Sequence, residues 1–360
     1  MSDFHDLKVA ATRTLANDAL YVELEVPPAL RQTFDFVQGQ YLTFSAEIDG
    51  EEVRRSYSIC NPVGGPLAVA IKKIDDGAFS AYAHERFAEG ADVRVMPPDG
   101  QFHSVLDPGQ EKDYLCIAAG SGITPIMSIV QTVLETEPAS RVTLLYGNRR
   151  SADIIFRDRL LWLKNRFMTR FQWINIFSRE TQEAPVLNGR IDNRKGGELN
   201  RCLIDIAGYD EFFLCGPEAM ISEVSRGLRG EGIDEANIHY ELFFASAEDA
   251  KKAIEKHHER ARQYAGLNTE VRVRSGGREV SFDLTADGEN ILDGAIDAGL
   301  DLPYSCKGGV CATCKARVLE GEVDMDLNHA LSQDEVAEGY VLTCQAHPIS
   351  ELVVVDFNVT

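Results

Sequence analysis

Four cysteines in the last quarter of the chain have the residue type and spacing for metal chemistry. Cys306-Lys-Gly-Gly-Val-Cys311-Ala-Thr-Cys314 is a C-x4-C-x2-C run, and Cys344 follows inside Val341-Leu-Thr-Cys344-Gln. Three clustered thiols and a distant fourth are the plant-type ligand spacing for a [2Fe–2S] cluster, so one-electron transfer is the first chemistry to consider. Gly308 and Gly309 suit a loop whose backbone must wrap close to the sulfides, donate N–H groups and adopt a positive φ. Zinc is the competing metal, but it favours paired C-x2-C knuckles. Only one such pair exists here. A disulfide scaffold is also disfavoured: eight cysteines in 360 residues are few, and the opening Met-Ser-Asp-Phe-His-Asp has no basic-then-apolar signal segment.

Other segments have the chemistry to hold phosphate. Arg55-Ser56-Tyr57-Ser58 reads as a strand offering a cation and a ring, and Gly77-Ala78-Phe79-Ser80 opens a helix downstream. A pyrophosphate needs a cation and helix N-terminal N–H donors, which these two segments can supply. Gly120-Ser121-Gly122-Ile123-Thr124-Pro125 follows an apolar strand and starts a helix, the arrangement of a phosphate cradle. It lacks the third glycine of the usual dinucleotide fingerprint and would serve equally as a tight strand–helix turn. Cys215-Gly216-Pro217-Glu218 repeats the strand-to-helix pattern. Taken alone, Cys215 reads as a buried strand-end cysteine.

The elements that must position these groups fall into three segments, within the two or three domains expected for this length. Up to about Asp107, short alternating runs (Tyr21–Val26, Tyr41–Phe44, Tyr57–Ile59, Leu67–Ile71, Val93–Val95) are separated by Gly/Pro turns, with one helix near Ser80–Phe87. That rhythm predicts an antiparallel barrel or sandwich. From about Lys112 to Phe244, apolar strands alternate with helices, which predicts a parallel doubly wound α/β sheet. Ala247–Tyr264 reads as a solvated helical linker, with Glu248 and Lys252 as a favourable i,i+4 pair. From Thr269 onward, a Ser275-Gly276-Gly277 hairpin, a helix near Ile291–Ala298 and a closing strand Leu352–Asp356 surround the cysteines.

Charge limits the partners. The net charge of −21 argues against nucleic acid, whose phosphates need a basic surface. From Thr269 to the end there are 17 Asp and Glu against 6 Lys and Arg, a balance of −11. Such a segment suits docking on a basic partner by electrostatic steering, or merely aids solubility. No apolar run is long enough to span a bilayer, and the missing signal segment predicts a cytoplasmic location.

With these motifs in order, the chain as a whole resembles the ferredoxin–NADP reductase-type flavoproteins that carry a C-terminal plant-type ferredoxin domain. The likeness is carried by Leu302–Cys314, Gly339–Ala346, Val353–Phe357, Phe4-His5 and Glu51–Arg55. It implies an antiparallel β-barrel FAD domain (1–108), an α/β parallel-sheet NAD(P)-binding domain (109–246), a linker (247–268) and an α+β β-grasp [2Fe–2S] ferredoxin domain (269–360). It also implies residue roles. Arg55, Tyr57 and Ser58 would bind FAD, with Ser58 near the reactive flavin nitrogen, and Gly77, Ala78, Phe79 and Ser80 would hold its pyrophosphate. Gly120, Gly122, Thr124 and Pro125, with Gly216 and Pro217, would hold the nicotinamide dinucleotide. Cys215 would lie at the hydride-transfer position, and Glu241 and Phe243 would approach the flavin from the other side. Cys306, Cys311, Cys314 and Cys344 would bind the cluster. Ser178 and Arg179, with Arg149, suit a 2′-phosphate and favour NADPH. Glu180 could bind a free ribose diol and so favour NADH. The implied role is an NADPH-dependent electron-transfer oxidoreductase serving a multicomponent oxygenase, of the di-iron or, alternatively, the Rieske class. The oxygenase would dock at the acidic ferredoxin domain, and a mobile linker would let that domain swing. A non-catalytic redox sensor is the reading from another functional class.

Overall fold

The computed structural model describes residues 4–16, 18–74, 77–243 and 247–358. The chain divides into two units, His5–Glu241 and Leu242 onward.

The first unit begins with strands β1 (His5–Leu15), β2 (Ala19–Glu25), β3 (Tyr41–Ile48), β4 (Glu51–Ser58) and β5 (Ala68–Lys72), then helix α1 (Ala78–Arg86) and strand β6 (Asp92–Val95). Among the described residues these strands form an antiparallel sheet in the order β4-β3-β6-β1-β2-β5. An antiparallel bridge from Ile59, just past β4, to Val69 in β5 joins the two edges and closes the barrel. Inward-facing Leu42, Phe44, Val69, Ile71 and Val95 fill it, and α1 adds Phe79 and Ala83 to the same core.

The second half of this unit alternates β7 (Asp113–Ala119), α2 (Ile123–Thr136), β8 (Arg141–Asn148), α3 (Arg157–Arg166), β9 (Phe171–Phe177), α4 (Asn193–Cys202), β10 (Glu211–Cys215), α5 (Glu218–Gly230) and β11 (Ile238–Glu241). The described strands pair in parallel in the order β11-β10-β7-β8-β9. The inner strands β10, β7 and β8 are the most apolar and most buried, because helices cover both faces of such a sheet. All carboxyl ends therefore share one edge, with Cys215 in register with Glu241 and Ala118.

The second unit opens on α6 (Ala247–Gln263), followed by β12 (Asn268–Ser275), β13 (Arg278–Thr285), α7 (Ile291–Asp297), β14 (Lys315–Glu320), β15 (Val323–Met325), α8 (Gln333–Ala337), β16 (Tyr340–Leu342), β17 (Ala346–Pro348) and β18 (Leu352–Asp356). Its main described sheet runs β13-β12-β18-β14-β16, with β12 and β18 parallel at its centre, and α7 packs on the sheet through Ile291 and Leu292. β15 pairs with β17 in a small second sheet.

Helix α6 departs from the solvated linker expected of its charge-rich sequence. Arg260 is 2% exposed. Its Nη1 bonds Asp324 at 2.8 Å and Asp326 at 2.7 Å, and its Nε donates to the Ala286 carbonyl. Lys256 adds bonds to Asp324 and the Met325 carbonyl. The chain from Lys256 onward thus belongs to the cysteine-bearing domain. The expected Glu248–Lys252 pair lies outside the described side chains. Removing one member of a buried ion network leaves its partners buried with unbalanced charge. Arg260→Met is therefore expected to destabilise this domain by about 3 kcal/mol, read as a lower unfolding midpoint in urea. No helix among the described residues is long and apolar enough to cross a membrane.

Candidate functional site

Where the barrel meets the carboxyl edge of the parallel sheet, three side chains far apart in sequence converge. Ser58 ends β4 and is buried; its Oγ donates to Glu241 Oε2 at 2.9 Å. Glu241 ends β11 and keeps part of its surface open, yet the protein packed around its carboxyl pushes its pKa up to about 8, against the opposing effect of the Ser58 hydroxyl. Cys215, its neighbour in register, is fully buried. Burial first, and then the charge of Glu241, push that thiol well above its usual range, so it stays protonated.

On the barrel side, Arg55 and Tyr57 share a face of β4 because alternate residues do. Arg55 is exposed and Tyr57 half-buried, its ring against Phe44 and Phe79 at 6.0 and 5.9 Å between centroids. Gly77 caps α1, whose first-turn N–H groups have no intrahelical acceptor. Ser80 Oγ donates to the Gly77 carbonyl and accepts from the Ile74 N–H. A Cβ on Gly77 would lie 2.7 Å from Ser80 Oγ. The turn is a backbone-lined cradle beside a cation and a ring, which fits the pyrophosphate and ring system of FAD.

On the sheet side, the β7 turn at Gly120–Gly122 leads into α2, held by Tyr146 Oη on the Gly120 carbonyl and Thr124 Oγ1 on the Ser121 carbonyl. Pro125 is buried in the first turn of α2. A Cβ on Gly122 would stand 2.2 Å from the Cys215 carbonyl oxygen, and one on Gly216 would meet Met220 and Ala119. The two turns interlock backbone to backbone, and Gly216-Pro217 leads directly into α5. Gly122→Ala is expected to cost about 1–3 kcal/mol, the usual penalty of overpacking, and to weaken NAD(P)H binding. Thermal unfolding and a binding titration check both effects.

At the far side of this edge, Arg149, Ser178 and Arg179 are exposed. The Ser178 and Arg179 N–H groups bond the Asn148 and Arg149 carbonyls at 3.0 and 2.9 Å, which continues the β8–β9 ladder into the loops. Glu180, a ribose candidate from sequence, is engaged elsewhere: its Oε2 accepts from the Ser151 N–H at 2.8 Å and the Ser151 hydroxyl at 3.0 Å. Phe243 lies in the second unit.

In the second unit the four thiols meet in two pairs, Cys306 with Cys311 and Cys314 with Cys344. Among the described residues, no three His, Cys, Asp or Glu side chains close on a single ion. Two pairs fit a two-iron cluster with two thiolates per iron better than a zinc tetrahedron. Buried Thr343 donates both its N–H and its hydroxyl to the Cys314 carbonyl, which holds Cys344 beside Cys314. The Cys306 thiol is held below its usual range by the Cys311 thiol and, against burial, by the N–H groups of Gly308, Val310 and Cys311. The Gly308 N–H lies 3.3 Å from Cys306 Sγ, and Thr313 Oγ1 lies 3.2 Å from Cys311 Sγ. Gln345 ties the Lys307 carbonyl to Cys344. Thr313 and Gln345 carry no ligand signal in sequence beyond standing next to a cysteine. Gly309 has the expected positive φ, whereas the other left-handed positions of the loop are Lys307 and Ala312 rather than Gly308.

The same order of parts is found in known proteins. Residues 6–104 match the oxidoreductase FAD-binding domain family, 116–226 the oxidoreductase NAD-binding domain family and 273–348 the 2Fe-2S iron-sulfur cluster binding domain family. The chain is 44% identical over 359 residues, 99% of each chain, to a subunit of the 1,2-phenylacetyl-CoA epoxidase of Escherichia coli K12. It is 29% identical to the ferredoxin reductase component of 3-ketosteroid-9-alpha-monooxygenase of Rhodococcus rhodochrous, over 98% of this chain and 96% of that one. Among solved structures, phthalate dioxygenase reductase shares the fold with a TM-score of 0.58 at 23% identity, covering 99% of this chain and 98% of that one. An intact type IV self-sufficient cytochrome P450 monooxygenase does so with a TM-score of 0.69 at 22% identity, covering 98% of this chain and 41% of that one.

Proposed function

Since the chain belongs to the family of oxidoreductases that join FAD-binding, NAD-binding and 2Fe-2S domains in that order, we propose that it is the reductase of a multicomponent oxygenase. Its oxygenase would be the di-iron phenylacetyl-CoA epoxidase and its reductant NADPH. The observation that carries the proposal is the meeting of Ser58, Cys215 and Glu241 between a flavin barrel and a dinucleotide sheet, in a chain that also pairs four cysteines for a cluster. The epoxidase is preferred over a Rieske oxygenase because the likeness to the epoxidase component is 44%, against 29% for the ketosteroid reductase component.

Together, bound FAD and the [2Fe–2S] cluster would supply the conversion of a two-electron hydride into single electrons. The residues supply placement and protons. Arg55 and the α1 N-terminus at Gly77–Ser80 neutralise the FAD pyrophosphate, and Tyr57 presents its ring. The turns at Gly120–Pro125 and Cys215–Pro217 would cradle the dinucleotide, and Cys215 would face its nicotinamide. Arg149, Ser178 and Arg179 receive the 2′-phosphate. Glu241, protonated at neutral pH, would hold a proton beside Ser58 Oγ, available to neutralise the anionic reduced flavin that hydride transfer leaves. Cys306, Cys311, Cys314 and Cys344 would hold the cluster. The acidic surface of the cluster domain steers the oxygenase component into place. The thiol ligands suit a reducing, cytoplasmic setting.

Anaerobic titration with NADPH, with NADH in parallel, followed by visible absorption and low-temperature EPR, tests this reading. Flavin bleaching with a reduced [2Fe–2S] signal is expected. Bleached flavin with no cluster signal, in protein that contains iron and sulfide, would end the electron path at FAD. Addition of the oxygenase components of the epoxidase and phenylacetyl-CoA should then reoxidise the cluster.

A further inference from the structure

A free carboxylate one residue beyond Arg179 would repel a 2′-phosphate dianion at the place where Arg149 and Arg179 offer positive charge. Glu180 is not free. Its Oε2 takes the N–H and hydroxyl of Ser151, two residues beyond Arg149. The Arg179 N–H in turn bonds the Arg149 carbonyl. The loop after β8 and the loop after β9 are therefore clamped at two points, one between the backbones of the exposed arginines and one just beyond them at Glu180 and Ser151. The first loop is also folded on itself, since Asp153 accepts the Arg150 N–H. Hydrogen bonds to a charged acceptor are stronger than neutral ones, so the clamp ties both loops together and engages the carboxylate with Ser151.

We propose that Glu180 and Ser151 are a positioning pair that sets dinucleotide choice: by locking Glu180 onto Ser151, the protein holds Arg149 and Arg179 side by side for a 2′-phosphate. The pair acts through the arginines and touches no substrate. The inference rests on the NADPH reading above and goes beyond it, because it turns the residue that looked like an NADH determinant into a support for NADPH.

The test uses FAD- and cluster-loaded protein and two probes, 2′,5′-ADP and 5′-AMP, by isothermal titration calorimetry. Wild type should bind 2′,5′-ADP more tightly. Glu180→Ala should weaken 2′,5′-ADP about tenfold, the scale of a lost charged hydrogen bond, and leave 5′-AMP within about twofold. Ser151→Ala, which loses the hydroxyl bond alone, should fall between. Glu180→Gln keeps an acceptor for the Ser151 N–H and should retain most of the preference. Unchanged or tighter 2′,5′-ADP binding in Glu180→Ala would overturn the clamp, and so would an equal loss for both probes, which would mark a general collapse of the loops. Wild type with no preference for 2′,5′-ADP would instead overturn the NADPH reading on which the clamp rests.

Discussion

Cys344→Ala is expected to abolish reduction of a one-electron acceptor such as cytochrome c, while NADPH still bleaches the flavin and still reduces ferricyanide. Cys344 and Cys314 are 4% and 3% exposed, and Thr343 fixes the one beside the other through two bonds to the Cys314 carbonyl. Loss of one sulfur would leave one iron of the cluster with a single cysteine ligand in a buried site. The flavin barrel lies more than two hundred residues away in sequence and belongs to the other unit, so its loading should not change. Iron and sulfide content, the EPR signal and the two acceptor assays separate the outcomes. Undiminished cytochrome c reduction in cluster-free protein would mean that the flavin passes single electrons outward by itself, and the cluster would lose its place in the path.

The cysteine motif was legible because ligand spacing is a local property: three of the four ligands lie within nine residues. The parallel sheet was legible for a related reason, since its inner strands, covered on both faces, are apolar nearly throughout. Other features depended on distance or on irregularity. β1 was not read as a strand because a bulge between Val9 and Ala11 shifts the register and breaks its alternation. β15, β16 and β17 span three residues each, too short for any period to show. Arg260 sits in a charge run that reads as solvated, and its burial is decided by Asp324 and Asp326, more than sixty residues later. The left-handed geometry of Lys307 and Ala312 is imposed by the loop around them; residue type pointed to the glycines instead.

The pairing of Ser58 with Glu241 spans 183 residues, and only resemblance to a family placed the two near one ligand. Its consequence is a pH dependence with a definite sign. A carboxyl whose pKa stands at about 8, above the ordinary range near 4.3, keeps its proton at pH 7 and loses it as pH rises through about 8. The rate of flavin reduction by NADPH, followed by stopped-flow absorbance, should therefore decline on the alkaline side of about 8. Glu241→Gln cannot exchange the proton and should lower the rate on the order of 10²-fold, the lower range for loss of a general acid–base group, with no limb near that pH. Ser58→Ala removes the hydroxyl that opposes the upward shift, so its limb should move to higher pH while its rate falls. A structural role alone would lower the rate without moving the limb. A wild-type rate and limb in Glu241→Gln would show that the proton comes from elsewhere.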